Sequence, residues 1–209
     1  MERSNAVVLH VCCGPCLAAA RETLKRGEET TFPPIGKIVF YNPNIHPLLE
    51  FRRRVKALSL YLERDPLSAE IDDEYGFLEY LANVVGDAAN PPKGRERCYR
   101  CYMFRLKKTA ESAKRNGFGG LSTTLLASRE QDRDLVARAG REAAGLFGLE
   151  FVEADLRKFP PAEKIMRGIY KQQYCGCIFS EEERFRGTSK HLYFPGGKRP
   201  EGDARMHEE

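Results

Sequence analysis

The stretch Val8-Leu9-His10-Val11-Cys12-Cys13-Gly14-Pro15-Cys16 constrains this chain more than any other. Ala6 to Val11 is an unbroken apolar run of strand length, the pattern of a central strand covered on both faces. It leads straight into three thiols within five residues. Pro15 stands where the first turn of a helix would begin, a position that needs no N–H. Three clustered thiols are costly to keep unless something binds them. Two further pairs lie far downstream, Cys98/Cys101 and Cys175/Cys177. The sequence therefore predicts three cysteine groups that meet around a metal centre.

The remaining pattern alternates strand and helix. A helix is expected from about Cys16 to Arg26, and a strand over Lys37 to Tyr41. The loop Asn42-Pro43-Asn44-Ile45-His46-Pro47 follows, then a basic helix from Leu48 to about Glu63. A short strand over Leu67 to Ile71 precedes a helix capped by Asp72-Asp73 that runs through Tyr75 to Val85 and ends at Gly86. The next helix runs from about Arg97 to Lys114 and ends at Gly117 to Gly120. Leu121 to Leu126 reads as a strand, Glu130 to Phe147 as a helix, and Glu150 to Ala154 as the last strand. Ala162 to about Tyr174 reads as helical, with a short helix from Ser180 after the last cysteines. This order predicts an α/β fold, a mostly parallel sheet with helices on both faces and right-handed crossovers. Residues 1–186 are expected to form one domain and 187–209, rich in Gly, Pro and charge, a loose tail.

That topology has a chemical consequence. Open parallel sheets bind ligands beyond the carboxyl ends of their strands. The residues placed there are Cys12, Cys13 and Cys16, then Asn42, Asn44 and His46, then Ser128 and Asp155. A lone histidine is more often structural than a ligand, so His46 draws interest mainly from its rim position. His10, inside the strand, reads as a satisfied core histidine. Asp155 could cap the following segment, bind a metal or serve as a proton donor.

Cys98-Tyr99-Arg100-Cys101 is a CxxC, a spacing shared by redox pairs, zinc sites and iron–sulfur sites. Beside Cys12-Cys13-x-x-Cys16 it becomes a metal signal. Structural zinc is usually closed between two small knuckles, whereas one group here ends a central strand. Adjacent Cys12 and Cys13 also suit a cluster with several metal corners, which favours iron–sulfur over zinc. In Cys175-Gly176-Cys177 the glycine permits a sharp turn. The pair reads as a reversible dithiol, with two extra ligands or two buried thiols as the alternatives.

Composition excludes several classes. The apolar run after Asn5 is too short for a signal-peptide core, and no apolar stretch would span a bilayer. A cytoplasmic location is expected, where seven cysteines do not suit a disulfide framework. No GxxxxGK[ST] loop and no full GxGxxG occurs, so ATP hydrolysis and nicotinamide binding are unsupported. The net charge of +4 is mild. Its placement says more: Arg95, Arg97, Arg100 and Arg105 interleave with Tyr99, Tyr102 and Phe104 around the CxxC. Arg52, Arg53 and Arg54 form a second cationic patch. Cations with aromatics suit phosphates and stacked bases, so an RNA substrate is expected.

Five motifs carry a resemblance: His10 to Cys16; Tyr41 to Pro47; Arg97 to Tyr102; Thr123-Thr124-Leu125-Leu126; and Gln173-Tyr174-Cys175-Gly176-Cys177-Ile178-Phe179-Ser180. In order, from about Val7 to Arg184, they resemble the cobalamin-independent epoxyqueuosine reductase family. The resemblance implies reduction of the epoxide of epoxyqueuosine in tRNA to the cyclopentene of queuosine, with electrons from an external donor. It implies a fold similar to the adenine-nucleotide α-hydrolase-like (Rossmann-like) superfamily, with cysteines replacing that superfamily's Ser-Gly-Gly ATP loop. It also implies a [4Fe–4S] cluster on Cys12, Cys13, Cys98 and Cys101, and a redox-active pair at Cys175 and Cys177. Cys16 is left for a second iron, and Asn42, Asn44, His46, Arg52, Arg53 and Arg100 for substrate. A tRNA-thiolating enzyme would need the ATP loop that is absent here. A zinc-stabilised RNA-binding module without catalysis would be separated by metal analysis.

Overall fold

The computed structural model describes residues 4–27, 31–87 and 89–186. Five strands form one sheet: β1 (Ser4–His10), β2 (Ile35–Phe40), β3 (Ala69–Ile71), β4 (Phe118–Thr123) and β5 (Glu150–Phe151). Every pairing is parallel, in the order β3-β2-β1-β4-β5. The helices are α1 (Gly14–Lys25), α2 (Leu48–Leu62), α3 (Phe77–Tyr80), α4 (Gly94–Arg115), α5 (Arg133–Gly145), α6 (Glu163–Met166) and α7 (Ile178–Phe185). The expected α/β class with a parallel sheet is what the chain adopts.

Side-chain alternation explains the layers. Successive residues of a strand face opposite sides. Val8 and Val39 join a core with Leu106 and Ala110 of α4 and Val136 and Ala139 of α5. Leu9, Val11, Ile38 and Phe40 join the other core, with Leu17 of α1 and Phe51, Leu58 and Tyr61 of α2. β1 is fully buried from Val8 to His10, as its apolar run required. His10 is braced inside the sheet, with Nδ1 2.8 Å from Thr123 Oγ1. Burial, then the charge of Arg105, lowers its pKa to about 3, so it stays neutral.

Several boundaries depart from the sequence reading. Only Gly117 turns the chain after α4, and Phe118 already opens β4. Leu125 and Leu126 belong to a 3-10 turn, Thr124–Ala127, in which the Thr123 hydroxyl accepts from the Leu125 N–H. The helix expected from Asp72 begins only at Phe77 and ends in a π-helical turn, Leu81–Val85. The helix expected over Ala162 to Tyr174 shrinks to α6. Tertiary contacts win there: the Tyr170 hydroxyl donates to Glu50, and the Tyr174 carbonyl is held by Arg54. The tail expected over 187–209 lies outside the described residues.

α1 and α2 pack closely where Gly14 opens α1. A Cβ at Gly14 would stand 2.8 Å from the Ala57 carbonyl oxygen, a backbone atom that cannot step aside. Gly14→Ala is therefore expected to destabilise the protein by about 1–3 kcal/mol, the usual cost of overpacking. Urea denaturation reads this directly, and unchanged stability would mean that the two helices are free to separate.

Candidate metal centre

The strand order reverses between β1 and β4, the place where doubly wound sheets open a crevice. Cys12 and Cys13 leave β1 there. The Cys12 N–H donates to Thr124 Oγ1 at 3.0 Å, and the Thr124 hydroxyl donates to Cys12 Sγ at 3.3 Å. Cys13 caps α1, its sulfur accepting the Cys16 N–H at 3.4 Å. The three sulfurs of Cys12, Cys13 and Cys16 all lie within 4.8 Å of one another, and all three residues are buried. Hydrogen bonds from the Cys13 and Cys16 thiols, then from Thr124, hold the Cys12 thiol well below its ordinary pKa. Burial pushes Cys13 up. Gln172 covers this group, with Nε2 2.7 Å from Cys13 Sγ and 3.7 Å from Cys16 Sγ.

The other four cysteines form a second group. Cys98, Cys101, Cys175 and Cys177 line one cavity of about 20 Å³, together with Asn44, Tyr80, Arg97, Tyr102, Arg105 and Gln131. Cys98 and Cys101 come from the start of α4. Cys177 caps α7, its sulfur accepting the Ser180 N–H at 3.3 Å, the same device that Cys13 uses on α1. Cys175 Sγ lies 3.8 Å from Cys177 Sγ and 2.9 Å from Ser180 Oγ. A hydrogen bond from the Cys177 thiol, aided by the Cys177 N–H, Ser180 and Arg54, lowers the Cys175 pKa to about 6. Burial raises Cys101 to about 11. All seven cysteines are free thiols.

The expected quartet of Cys12, Cys13, Cys98 and Cys101 is thus not the set that the fold gathers. Cys98 and Cys101 face Cys175 and Cys177 instead, and Cys16 completes a trio with Cys12 and Cys13. Two buried arginines stand by both groups. Arg105 Nη1 is 3.9 Å from Cys101 Sγ, and its charge also favours the Cys12 thiolate. Arg54 donates to the Cys175 and Tyr174 carbonyls at 2.9 and 3.0 Å, and its charge acts on Cys13 as well.

Buried polar atoms are almost always paired. Around the four-cysteine cavity four are without a partner among the described residues: Asn44 Oδ1, Tyr80 Oη, Arg97 Nε and Arg105 Nε. Gln172 Oε1 is a fifth, at the three-cysteine group. Burial, then the charges of Cys101 and Cys177, pushes the Tyr80 hydroxyl pKa upward, so it remains a donor. The thiols, the arginine charge and the unpaired donors of Tyr80, Arg97 and Arg105 together fit an anionic, thiolate-bound group, whereas Asn44 Oδ1 and Gln172 Oε1 are acceptors.

The other candidate residues divide. Asn44 is buried and lines the cavity. Asn42 is engaged inside the protein, donating to the Val11 carbonyl and accepting from Arg105, so its side chain braces the end of β1 against α4; it also lines a cleft with Tyr41, Asp72 and Tyr75. His46 braces the cysteine loop through its backbone: its N–H donates to the Gly176 carbonyl at 2.8 Å, and its carbonyl accepts from Tyr174 at 2.9 Å. The His46 ring stacks on Phe77 at 4.5 Å and bonds Tyr75. Asp155 pairs with Arg133 and Arg157 at 3.5 Å and accepts from the Arg157 N–H. Arg100 is exposed and pairs with Glu96, one turn back. Arg52 and Arg53 are exposed, but Arg54 is 2% exposed, so the three do not make one surface patch.

Sequence reasoning missed Arg54, Gln172 and Tyr80 as parts of the site. Glu50 and Arg54 stand four apart on a helix, and Arg97, Cys101 and Arg105 repeat that spacing, so both sets share a helix face. Those spacings were readable. Nothing local marks Tyr80 or Gln172.

Fold and site define a parallel α/β protein with a buried cysteine group fit to hold metal at its switch point. The sequence model described as Epoxyqueuosine reductase QueH matches residues 7–183. The chain belongs to that family. A curated relative of that name from Thermotoga maritima is 33% identical over 187 residues, which cover 86% of this chain and 92% of the relative. Another from Dehalococcoides mccartyi is 32% identical, with 86% and 94% covered. One from Haemophilus influenzae is 31% identical, with 84% and 71% covered.

Proposed function

We propose that this chain is an oxidoreductase of tRNA modification that reduces the epoxide of epoxyqueuosine to the cyclopentene of queuosine. The reaction consumes two electrons and two protons, breaks both epoxide C–O bonds, and releases the oxygen as water. The electrons come from an external donor. The observation that carries this reading is the buried Cys12, Cys13 and Cys16 group, beside a second, partly buried group of four cysteines, in a chain belonging to this family. A reducing cytoplasm is the compartment in which seven free thiols persist.

On this reading Cys98, Cys101, Cys175 and Cys177 would hold a [4Fe–4S] cluster. Cys12, Cys13 and Cys16 would hold a single iron, with the Gln172 amide beside the Cys13 and Cys16 sulfurs. Such groups supply single electrons and a Lewis acid for the epoxide oxygen. The protein's own residues supply the setting. Arg54 and Arg105 offset thiolate charge that burial would otherwise oppose. A cleft of about 250 Å³, lined by Arg97, Cys98, Glu130, Gln131, Cys175 and Arg184 among others, opens beside the cluster site and offers the substrate base a way in. Anaerobic turnover on tRNA carrying epoxyqueuosine tests the reading: mass spectrometry should show the nucleoside losing one oxygen. An unchanged nucleoside with fully metal-loaded protein and a competent reductant would contradict it.

A second reading of Cys175 and Cys177 as a redox dithiol draws on their 3.8 Å separation and on the lowered Cys175 pKa. The variants that separate the two readings are argued in the Discussion.

For tRNA, the exposed arginines of α2 are the candidate phosphate-binding groups. Arg52→Glu with Arg53→Glu should weaken tRNA binding and flatten its salt dependence by about one unit of log–log slope for each phosphate no longer neutralised. Iron content should not change, because neither side chain touches a thiol group. Binding that is equally strong and equally salt-dependent in the variant would exclude this face.

A further inference from the structure

Tyr80 ends α3 and is 1% exposed. It packs with Val84, Val85, Cys101 and Cys177. Phenylalanine would fill that space equally well, and burying a hydroxyl without a partner is destabilising. The hydroxyl therefore calls for an acceptor, and the cavity it lines holds the four cysteine sulfurs together with Asn44 Oδ1, an acceptor without a partner among the described residues.

Two further donors converge on the same space. Arg97 gives Nη2 to Glu183 at 2.7 Å and lays its guanidinium 4.4 Å above the Phe179 ring. Arg105 gives its terminal nitrogens to Asn42 and Cys101. In each arginine Nε is left over, buried and without a partner among the described residues. One phenol and two Nε–H groups thus point to an acceptor with several lone pairs and negative charge.

We infer that Tyr80, together with Arg97 and Arg105, donates hydrogen bonds to the sulfur of the electron-carrying group held by the four cysteines, and that Tyr80 raises its reduction potential. This inference rests on the reading that these cysteines hold an iron–sulfur cluster. The physical reason is charge. Reduction adds an electron to an already anionic group, and donors aimed at its sulfur stabilise the reduced form more than the oxidised one. Hydrogen bonds to sulfur and local charge are the protein's main controls of such potentials. Tyr80 is a positioning residue, since it acts on substrate only through the cluster. The rival is a single trapped water, which a cavity of about 20 Å³ could hold and which would satisfy the hydroxyl without touching the potential.

The test compares anaerobically purified wild type with Tyr80→Phe. Iron and sulfide are counted first, and the midpoint potential is then read by redox titration followed by the electron paramagnetic resonance of the reduced cluster. The variant should keep its iron and sulfide. Its reduction equilibrium should fall about tenfold, a midpoint lower by about 59 mV for one electron. A fully loaded variant with the wild-type midpoint overturns the inference and leaves the cluster reading standing. Wild type without sulfide overturns both. Should Tyr80→Phe fail to load, 3-fluorotyrosine placed at position 80 keeps the ring and strengthens the donor. The midpoint should then rise above wild type, and an unchanged value overturns the inference.

Discussion

Arg54→Met destabilises the protein by about 3–5 kcal/mol and disorders the loop that carries Cys175 and Cys177. The magnitude is that of breaking a buried ion pair from one side. Arg54 Nε meets Glu50 Oε1 at 2.7 Å, with both side chains at or below 5% exposure. Removing the guanidinium strands the Glu50 carboxylate, whose remaining bond is from the Tyr170 hydroxyl at 2.8 Å. It also frees the Tyr174 and Cys175 carbonyls, and takes a cation from Cys13 and Cys175. The packing is tight enough that a Cβ at Gly176 would stand 2.9 Å from Arg54 Nη1, at a φ of +111° that side chains rarely adopt. Glu50→Gln combined with Arg54→Met should recover much of the stability, since no charge is then stranded, while the loop stays unanchored and iron retention stays poor. Urea denaturation and iron content are read on the same samples. Stability within about 1 kcal/mol of wild type for the single variant, the range of exposed pairs, would refute the role assigned to this arginine.

Cys175→Ser and Cys177→Ser each abolish epoxide reduction and lose iron and sulfide with it. A hydroxyl cannot replace a thiolate as a ligand on equal terms. Both sulfurs line the cavity shared with Cys98 and Cys101, the position on which the proposed ligand role rests. The redox-dithiol reading predicts the same loss of turnover with metal and sulfide intact. Thiol trapping after a single turnover without added reductant sharpens the contrast. Two thiols alkylatable only after reduction would favour the dithiol, and cluster loss in both variants would exclude it as the sole role. Cys12→Ser should behave differently from either, losing iron bound at the β1 turn while sulfide is retained.

The buried strand, the cysteine turn and the parallel α/β order were legible because each rests on local signals: an apolar run, a proline at the first helical turn and alternating periodicities. Helix ends were less so. The stretch before Cys175 reads as a helix, but the contacts of Tyr170 and Tyr174 with α2 hold it as a loop. The site was half legible. That Cys12, Cys13 and Cys16 form a group able to hold a metal follows from their clustering. Which cysteines meet does not, because Cys98 and Cys101 could face either the β1 turn or the later loop until α4 is placed across the sheet. Arg54 looked like one of three surface charges, although its spacing of four from Glu50 sets it apart from Arg52 and Arg53. Asn42 carried the polarity of a rim residue yet is used to join Val11 to Arg105. Tyr80 and Gln172 reach the thiols only through the folded chain, and no spacing in the sequence points to them.

The most direct test of the central claim is the iron, zinc and acid-labile sulfide content of wild-type protein purified without oxygen. The account predicts iron in excess of sulfide by about one per chain, with four sulfides assigned to the Cys98, Cys101, Cys175 and Cys177 site and the additional iron to Cys12, Cys13 and Cys16. Stoichiometric zinc with no sulfide in fresh, never-oxidised protein would contradict it.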